Sequence, residues 1–153
     1  MIITFFGHST LEEDEAIFSR IKEILSSYVA MGEPITFYCG GYGDFDRICE
    51  RACRLLKKEG ADCEIVYITP YMTEAQQKKI GALIREGRYD SVLYPPLERV
   101  PLRFSILRRN EWMATEADLI LAYVRYGRGG AYRALSYAMS RKKRIINLAE
   151  AER

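Results

Sequence analysis

The sequence predicts an α/β fold in which helices cover both faces of a mostly parallel, doubly wound sheet, a three-layer α/β/α sandwich. Short apolar segments of strand length alternate with longer segments of helical periodicity along the whole chain. This alternation favours a parallel sheet, because each crossover places a helix on one of its faces. The 153 residues suffice for one buried core without disulfide or metal support. We therefore predict a single domain over residues 1–153.

The first strand and helix are predicted at the amino terminus. The apolar run Ile2–Phe6 has strand character and ends at Gly7. Ser9 and Glu12 fit the capping box S-x-x-E, so we expect a helix to begin there. The apolar residues that follow recur at helical spacing: Ile17, Ile21, Ile24, Leu25 and Tyr28.

The second strand–helix unit has clearer boundaries. Ile35–Cys39 is a short apolar strand that runs into a glycine-rich loop. Asp44 is expected to cap the next helix, and Gly60 to end it as the C′ residue. Its inner face consists of Phe45, Ile48, Cys49, Ala52, Cys53 and Leu56. Glu64–Ile68 then predicts the third strand.

The middle of the chain predicts two helices around a short strand. Residues Thr73–Gly87 form the first helix, with Thr73 and Gln76 as its capping box. Ser91–Tyr94 is a short apolar strand that two prolines end. Phe104–Glu116 is the second helix.

The last elements complete the doubly wound pattern. Asp118–Val124 is the most apolar strand of the chain, and a glycine-rich loop then opens a helix that runs to about Arg141. Arg144–Leu148 is the final strand. With the five longer strands numbered in chain order, we predict the sheet order 3-2-1-4-5 with right-handed crossovers. The short strand Ser91–Tyr94 is placed at an edge.

The small net charge of the chain argues against partners that a protein binds through a strong electrostatic field. Lys and Arg number 23 and Asp and Glu 21, which gives a net charge of +2. This balance does not predict a nucleic-acid or membrane-surface binder. No apolar run approaches the roughly 20 residues of a membrane span. The first residues also lack the basic start of a signal peptide, so we expect a cytoplasmic protein.

The four cysteines are expected to be buried and reduced. Cys39, Cys49, Cys53 and Cys63 form no C-x-x-C pair, and the chain has one histidine. A metal site would need further ligands that the sequence does not supply. We interpret the cysteines as small apolar core residues and predict no metal site.

Three glycine-containing loops follow strands and precede helices. They are Gly7-His8-Ser9, Gly40-Gly41-Tyr42-Gly43 and Gly127-Arg128-Gly129-Gly130. In doubly wound sheets, ligands bind beyond the carboxyl ends of the strands, and helix N-termini favour phosphate. Glycines also make tight strand-to-helix turns, which is the alternative reading of each loop alone. None of the loops is G-x-G-x-x-G or a P-loop.

Titratable residues near these loops are candidates for binding or catalysis. His8 could contact phosphate or act as acid or base, or simply neighbour a helix cap. Asp46 could reach a ribose hydroxyl or stabilise its helix dipole. Glu111 is the third candidate acid or base. The predicted ligand-binding residues are Gly7, His8, Ser9, Gly40, Gly41, Gly43, Asp46, Arg109, Asn110, Gly129, Gly130 and Tyr132.

The helix segment from Arg108 to Met113 is dense in side chains that recognise nucleotides. Arg109 offers a fork for phosphate, although a solvated helix face is an equal alternative. Trp112 could stack on a base or fill the core. Tyr42 and Tyr132, near the later loops, could stack on an adenine.

Four segments together resemble a known family. They are Gly40-Gly41-x-Gly-x-Phe-Asp, Arg109-Asn110-x-Trp-Met113, the strand after Ala117-Asp118, and Gly129-Gly130 leading to Tyr137-Ala138. With these motifs the chain resembles the YpsA-like group of the SLOG superfamily, which joins DprA/Smf proteins with Lonely-guy nucleotide hydrolases. The resemblance implies a Rossmann-like fold, a nucleotide-type ligand such as ADP-ribose, NAD or a nucleoside monophosphate, and a homodimer. No cofactor is implied with certainty.

The resemblance also bears on catalysis. Lonely-guy hydrolases use R-K-x-x-M and P-G-G-x-G-T-x-x-E. Here Arg109 and Met113 match the first motif with Asn110 in the lysine position, while Ser136 stands in the glutamate position of the second. We therefore predict a binding or sensing module for a nucleotide-derived small molecule. The alternatives are an N-glycosidic nucleotide hydrolase and a single-stranded DNA-binding module, and nucleic acid and membrane are not expected as partners.

Overall fold

Six parallel strands and five helices alternate in the computed structural model, which describes residues 1–12 and 14–149. The strands are β1 (Ile2–Gly7), β2 (Ile35–Cys39), β3 (Cys63–Ile68), β4 (Ser91–Leu93), β5 (Leu119–Tyr123) and β6 (Ile145–Asn147). The helices are α1 (Asp14–Val29), α2 (Asp44–Lys58), α3 (Glu74–Arg85), α4 (Ser105–Glu116) and α5 (Gly130–Ser140). One 3-10 turn, Leu102–Phe104, precedes α4.

The sheet order confirms the predicted doubly wound topology. The strands lie in the order β4-β3-β2-β1-β5-β6, and each neighbouring pair is parallel. The short strand β4 lies at the edge of the sheet beside β3, as predicted. The order reverses between β1 and β5, so this pair marks the switch point at which Rossmann-like folds bind ligands.

Side chains alternate between two cores on opposite faces of the sheet. One core joins Phe5, Phe37 and Leu121 to helices α1 and α2. The other joins Phe6 and Ile120 to helices α4 and α5. Because successive strand residues point to opposite faces, each central strand serves both cores, and all five residues of β5 are buried.

Two predicted helix starts are wrong at the residue level. Helix α1 begins at Asp14, so Ser9 and Glu12 do not form its capping box. The N-cap of α2 is Gly43, with Asp44 in the first turn. The Asp44 carboxylate accepts a hydrogen bond from the Leu11 amide at 2.9 Å and pairs with Arg47, so it ties the β1–α1 loop to α2.

Other boundary signals are confirmed. Thr73 caps α3 by accepting from the Gln76 amide at 3.3 Å. The Gln76 side chain bonds Thr69 and Tyr67 instead of closing the box. Gly60 adopts a φ of 100° just beyond α2, as a C′ glycine should.

The predicted burial of the cysteines is confirmed for three of the four. Cys39, Cys49 and Cys53 are buried, Cys63 is partly buried, and all four are free thiols. Burial raises the pKa of the Cys49 and Cys53 thiols, which keeps them protonated. Among the described residues, no helix combines the length and the apolar character needed to cross a membrane.

Candidate functional site

A pocket of about 510 Å³ lies over the carboxyl ends of β1, β2 and β5. The β1–α1 and β5–α5 loops and helix α4 form its walls, so the switch point of the sheet is its floor. Its lining residues are Phe5, Phe6, Gly7, His8, Ser9, Thr10, Gly40, Tyr42, Asp46, Ile106, Arg109, Asn110, Met113, Tyr126, Arg128, Gly129, Gly130 and Ala131.

Helix α5 presents an open N-terminus to this pocket. Its N-cap is Gly129, which has no side chain, and no acceptor within residues 1–12 and 14–149 takes the amides of Gly129, Gly130 or Ala131. A Cβ atom at Gly127, Gly129 or Gly130 would meet no atom within 4 Å. The backbone is therefore bare and accessible. Such an end offers free N–H groups and the positive end of the helix dipole to an anion.

Helix α2 also begins at a glycine loop, but its N-terminus is closed. The Asp44 amide donates to the Ser9 carbonyl at 2.9 Å, and the Phe45 amide donates to the His8 carbonyl at 3.4 Å. The β1–α1 loop thus occupies the place that a phosphate would take. Of the two glycine loops that lead directly into a helix, only the one at α5 retains the predicted anion-binding character.

Packing explains the glycines of the first two loops. A Cβ at Gly7 would lie 2.2 Å from the Phe45 ring, and one at Gly41 would lie 2.3 Å from the Tyr67 ring. A Cβ at Gly43 would approach the Ser9 backbone to 2.7 Å. Gly41 and Gly43 make these close contacts, and neither of them lines the pocket. Their predicted role in ligand binding therefore has no geometric support.

His8 lies at the end of β1 and holds the opposite loop. Its Nε2 accepts a hydrogen bond from the Arg125 amide at 2.8 Å, so the neutral ring carries its proton on Nδ1. Burial, and secondly the charge of Arg125, lower the pKa of His8 below its ordinary value. The imidazole also packs against the Tyr126 ring, with 5.0 Å between centroids. His8 is therefore neutral at pH 7 and positions the β5–α5 loop.

Asp46 is the carboxylate of the pocket wall. Its Oδ2 accepts from the Tyr42 amide at 3.0 Å and lies 3.3 Å from the place of a Cβ at Gly40. Burial raises the pKa of Asp46 to about 6, against the opposing effects of that amide and of Arg109. A carboxyl group that titrates near neutrality is suited to proton transfer.

Arg109 is buried, with 4% of its surface exposed, and binds the ends of two strands. Its Nη1 donates to the carbonyls of Gly40 at 3.0 Å and Ile68 at 2.8 Å, and its Nε donates to Asn110 Oδ1. Burial lowers the pKa of Arg109, and the charge of Asp46 opposes this change. The sequence offered a phosphate fork or a solvated face, and the structure adds a third role, a cationic cap on β2 and β3.

The aromatic residues divide between core and pocket. The Trp112 ring stacks on Tyr38 with 5.5 Å between centroids, so it packs on the second core and not at the ligand. Tyr132 lies outside the pocket on α5, whereas Tyr42 lines it. Sequence reasoning missed Tyr126, which is exposed to 59% and lines the pocket. Its position in the loop that follows the most apolar strand was the available signal.

The remaining catalytic candidate, Glu111, is not a lining residue of the pocket. Its side chain is half-buried and pairs with Arg108 at 2.7 Å. Ser136 lies on α5 beyond the lining residues. In the part of the chain that the structure describes, no group of three His, Cys, Asp or Glu side chains is placed to hold a metal ion.

Comparison with solved structures places the chain in a fold shared with DNA processing proteins. The structure of DNA processing protein A (DprA) from Streptococcus pneumoniae superposes with a TM-score of 0.63 at 13% identity over 94% of this chain. DprA from Helicobacter pylori, whose structure describes a single-stranded DNA binding mode, gives 0.64 at 14% identity over 95%. A structural genomics target, TM1055, gives 0.58 at 12% identity over 94%. These likenesses show the Rossmann-like α/β fold.

The chain covers 48% and 63% of the two DprA chains and 71% of the TM1055 chain, so it spans about half the length of the first of them. No protein-family model matches the sequence. No curated protein matches it either. The YpsA-like assignment, the single-domain organisation and the cytoplasmic location stay predictions.

The predicted exclusion of nucleic acid is wrong. A protein with this fold binds single-stranded DNA, and the small net charge of the chain does not exclude such a ligand. Net charge averages over the surface, whereas binding depends on the local arrangement of cations and aromatic rings. The comparisons also give no support to the predicted homodimer.

Proposed function

We propose that the pocket over β1, β2 and β5 binds a nucleotide, with a phosphate at the N-terminus of α5. The observation that carries the proposal is the open amide group of Gly129, Gly130 and Ala131 inside a pocket of about 510 Å³. Arg128, which also lines the pocket, adds a cation beside these amides. Amides and a guanidinium are the donors that bind phosphate in proteins.

The other lining residues suit the nucleoside. Tyr42 and Tyr126 expose aromatic rings at the rim, to 76% and 59%, and such rings stack on bases. Asn110 has an amide group that can pair with a base or a ribose hydroxyl. The pocket volume also falls within the usual range for small-molecule sites. Together these features favour a nucleotide over a simple inorganic anion.

Calorimetric titration and thermal shift with AMP, ADP-ribose and NAD test this proposal. A ligand at about 100 times its Kd should stabilise the fold by about 2.7 kcal/mol. Arg128→Ala should weaken binding roughly tenfold, because it removes a charge-assisted contact. The control Arg99→Ala removes an exposed arginine that does not line the pocket and should bind like the wild type. Failure of all three ligands to bind at millimolar concentration would overturn the proposal.

Single-stranded DNA is the second candidate ligand. It is favoured by the similarity to DprA, one member of which binds single-stranded DNA, and by the exposed rings of Tyr42 and Tyr126. Fluorescence anisotropy with a labelled oligothymidine tests it. Binding should weaken between 50 and 200 mM salt by at least about tenfold, because phosphate contacts release counterions. An oligonucleotide that does not bind at low salt would remove this candidate.

An N-glycosidic hydrolase is supported by one residue, Asp46. It is the carboxylate of the pocket wall, and its pKa of about 6 suits acid–base chemistry. Incubation with nucleoside monophosphates and chromatography for free base test this activity. Asp46→Asn should abolish base release, whereas Glu111→Ala, at a position that does not line the pocket, should leave the rate unchanged. The reverse pattern would transfer the catalytic role to Glu111.

A further inference from the structure

A second cavity of about 390 Å³ lies beside the pocket, on the other side of the β1 and β5 loop ends. Leu11, Glu12 and Ile17 line it from the β1–α1 loop and α1, and Tyr123 and Arg125 line it from the end of β5. It therefore lies over the α1 face of the sheet. The first pocket, lined by α4 and by the start of α5, lies over the opposite face.

The two cavities share three residues, His8, Thr10 and Tyr126. The packed rings of His8 and Tyr126, with 5.0 Å between centroids, form the divider between them. The hydrogen bond from the Arg125 amide to His8 fixes this divider across the switch point. A ligand that enters both cavities must cross the sheet edge above His8.

We infer that the site has two compartments and that its ligand consists of two nucleosides joined through phosphate. The inference rests on the proposed function, which places a nucleotide in the first compartment. The second compartment is of a size that can hold a further nucleoside, since its volume of about 390 Å³ is within the small-molecule range.

The walls of the second compartment fit this chemistry. The Arg125 guanidinium, a group on which bases stack, lies 5.3 Å from the centroid of the buried Tyr123 ring. The carboxylate of Glu12 is an acceptor for ribose hydroxyls. A helix end for a second phosphate is not needed, because one linkage above His8 joins the two halves.

A two-compartment site differs from a mononucleotide site in one measurable quantity, the affinity gained from the second nucleoside. Titration calorimetry compares diadenosine diphosphate with AMP, and the dinucleotide pdTpdT with dTMP. The first pair represents a free dinucleotide and the second represents neighbouring nucleotides of a single strand. In at least one pair the dinucleotide should bind about tenfold more tightly, the gain expected from one additional stacked base.

Two variants test whether the second compartment provides this gain in affinity. Glu12→Trp fills the mouth of the second compartment from an exposed position, and Arg125→Ala removes its cationic wall while keeping the backbone amide that holds His8. Both should reduce dinucleotide affinity to the mononucleotide level and leave mononucleotide affinity unchanged. Glu98→Trp, an exposed glutamate outside both compartments, is the control and should retain the tenfold gain.

Each result is decisive. Equal affinity for both members of both pairs overturns the second compartment and leaves the proposed nucleotide site standing. A gain that survives Glu12→Trp and Arg125→Ala also overturns it, because the second nucleoside would then bind elsewhere. If neither mononucleotides nor dinucleotides bind, the proposed function fails and this inference fails with it.

Discussion

At the scale of single residues, the pocket contains two polar groups whose burial costs free energy. Asp46 carries a raised pKa at the wall, and Arg109 lies almost fully buried behind it without a carboxylate partner in direct contact within the described residues. Their charges attract each other across Gly40, at which a side chain would lie 3.3 Å from Asp46 and 3.4 Å from Arg109. Natural proteins keep such arrangements where a ligand or a reaction needs them.

Asp46 should make the stability of the fold depend on pH. Its pKa of about 6 in the folded protein exceeds the ordinary value of 3.8, so the folded state binds more protons between those values. Stability contributed by protonated Asp46 is therefore present below pH 4 and lost as the pH rises through 6. Asp46→Asn keeps an acceptor for the Tyr42 amide and removes the titration. Relative to the wild type, the variant should gain about 1–3 kcal/mol between pH 4 and pH 8.

Urea unfolding at those two pH values measures this gain. The comparison uses the difference between variant and wild type at each pH, which cancels the titration of all other groups. A variant whose difference from the wild type is the same at pH 4 and pH 8 would show that Asp46 has an ordinary pKa.

The main contribution of Arg109 should be to the stability of the fold, and its contribution to ligand binding should be secondary. Its Nη1 satisfies the buried carbonyls of Gly40 and Ile68, and truncation leaves both without a donor. Arg109→Ala should therefore lower the free energy of unfolding by roughly 2–4 kcal/mol. The exposed neighbour Arg108 is the matched control, since its pair with Glu111 is worth at most about 1 kcal/mol. Equal losses in the two alanine variants would disprove the capping role.

Residue-scale roles were the part that sequence could least determine. The segment Arg109-Asn110-x-Trp-Met113 offered binding or solvent-facing readings, but the burial of Arg109 depends on carbonyls 41 and 69 positions away in the chain. Trp112 likewise stacks on Tyr38, a residue of a distant strand. No local pattern encodes such contacts, because they form only when the helix packs on the sheet.

At the scale of elements, the strand positions and the start of α3 followed from the sequence, whereas the capping residues predicted for α1 and α2 were wrong. Apolar runs with glycine or proline at their ends gave every strand to within about two residues, since a buried parallel strand needs uniform hydrophobicity. The start of α1 was misplaced because Ser9 has a long-range use. Its carbonyl accepts a hydrogen bond from the amide of Asp44, and this bond helps to close the N-terminus of α2.

Glycine substitutions separate the closed loops from the open one. Gly7→Ala should destabilise the fold by roughly 1–3 kcal/mol, because its Cβ would overlap the Phe45 ring. Gly130→Ala should leave stability unchanged or raise it by up to about 1 kcal/mol, because its Cβ enters open space at the start of a helix. The same Cβ should obstruct phosphate and weaken nucleotide binding.

Thermal unfolding and calorimetric titration on both variants provide the check. Gly60→Ala is unsuitable as a control because Gly60 has a φ of 100°, whereas Gly81→Ala changes a glycine within α3, away from the pocket. If Gly130→Ala binds nucleotide as well as Gly81→Ala does, then the N-terminus of α5 is not the phosphate site.

At the scale of the whole molecule, the sheet order was predictable and the choice among its loops was not. The order with β1 and β5 at the switch point follows from alternating strands and helices and from right-handed crossovers. It brings three loops to one edge, as the sequence predicted. Only the packing of the β1–α1 loop against α2 shows which helix remains available to an anion.

A titration of isotope-labelled protein with AMP, followed by amide proton–nitrogen correlation spectra, tests the central claim most directly. The account predicts the largest shifts at the amides of residues 127–131, where free N–H groups meet the phosphate, and small shifts at the amides of Asp44 and Phe45, which the β1–α1 loop closes. The largest shifts at the amides of Asp44 and Phe45, or no shifts at millimolar AMP, would contradict it.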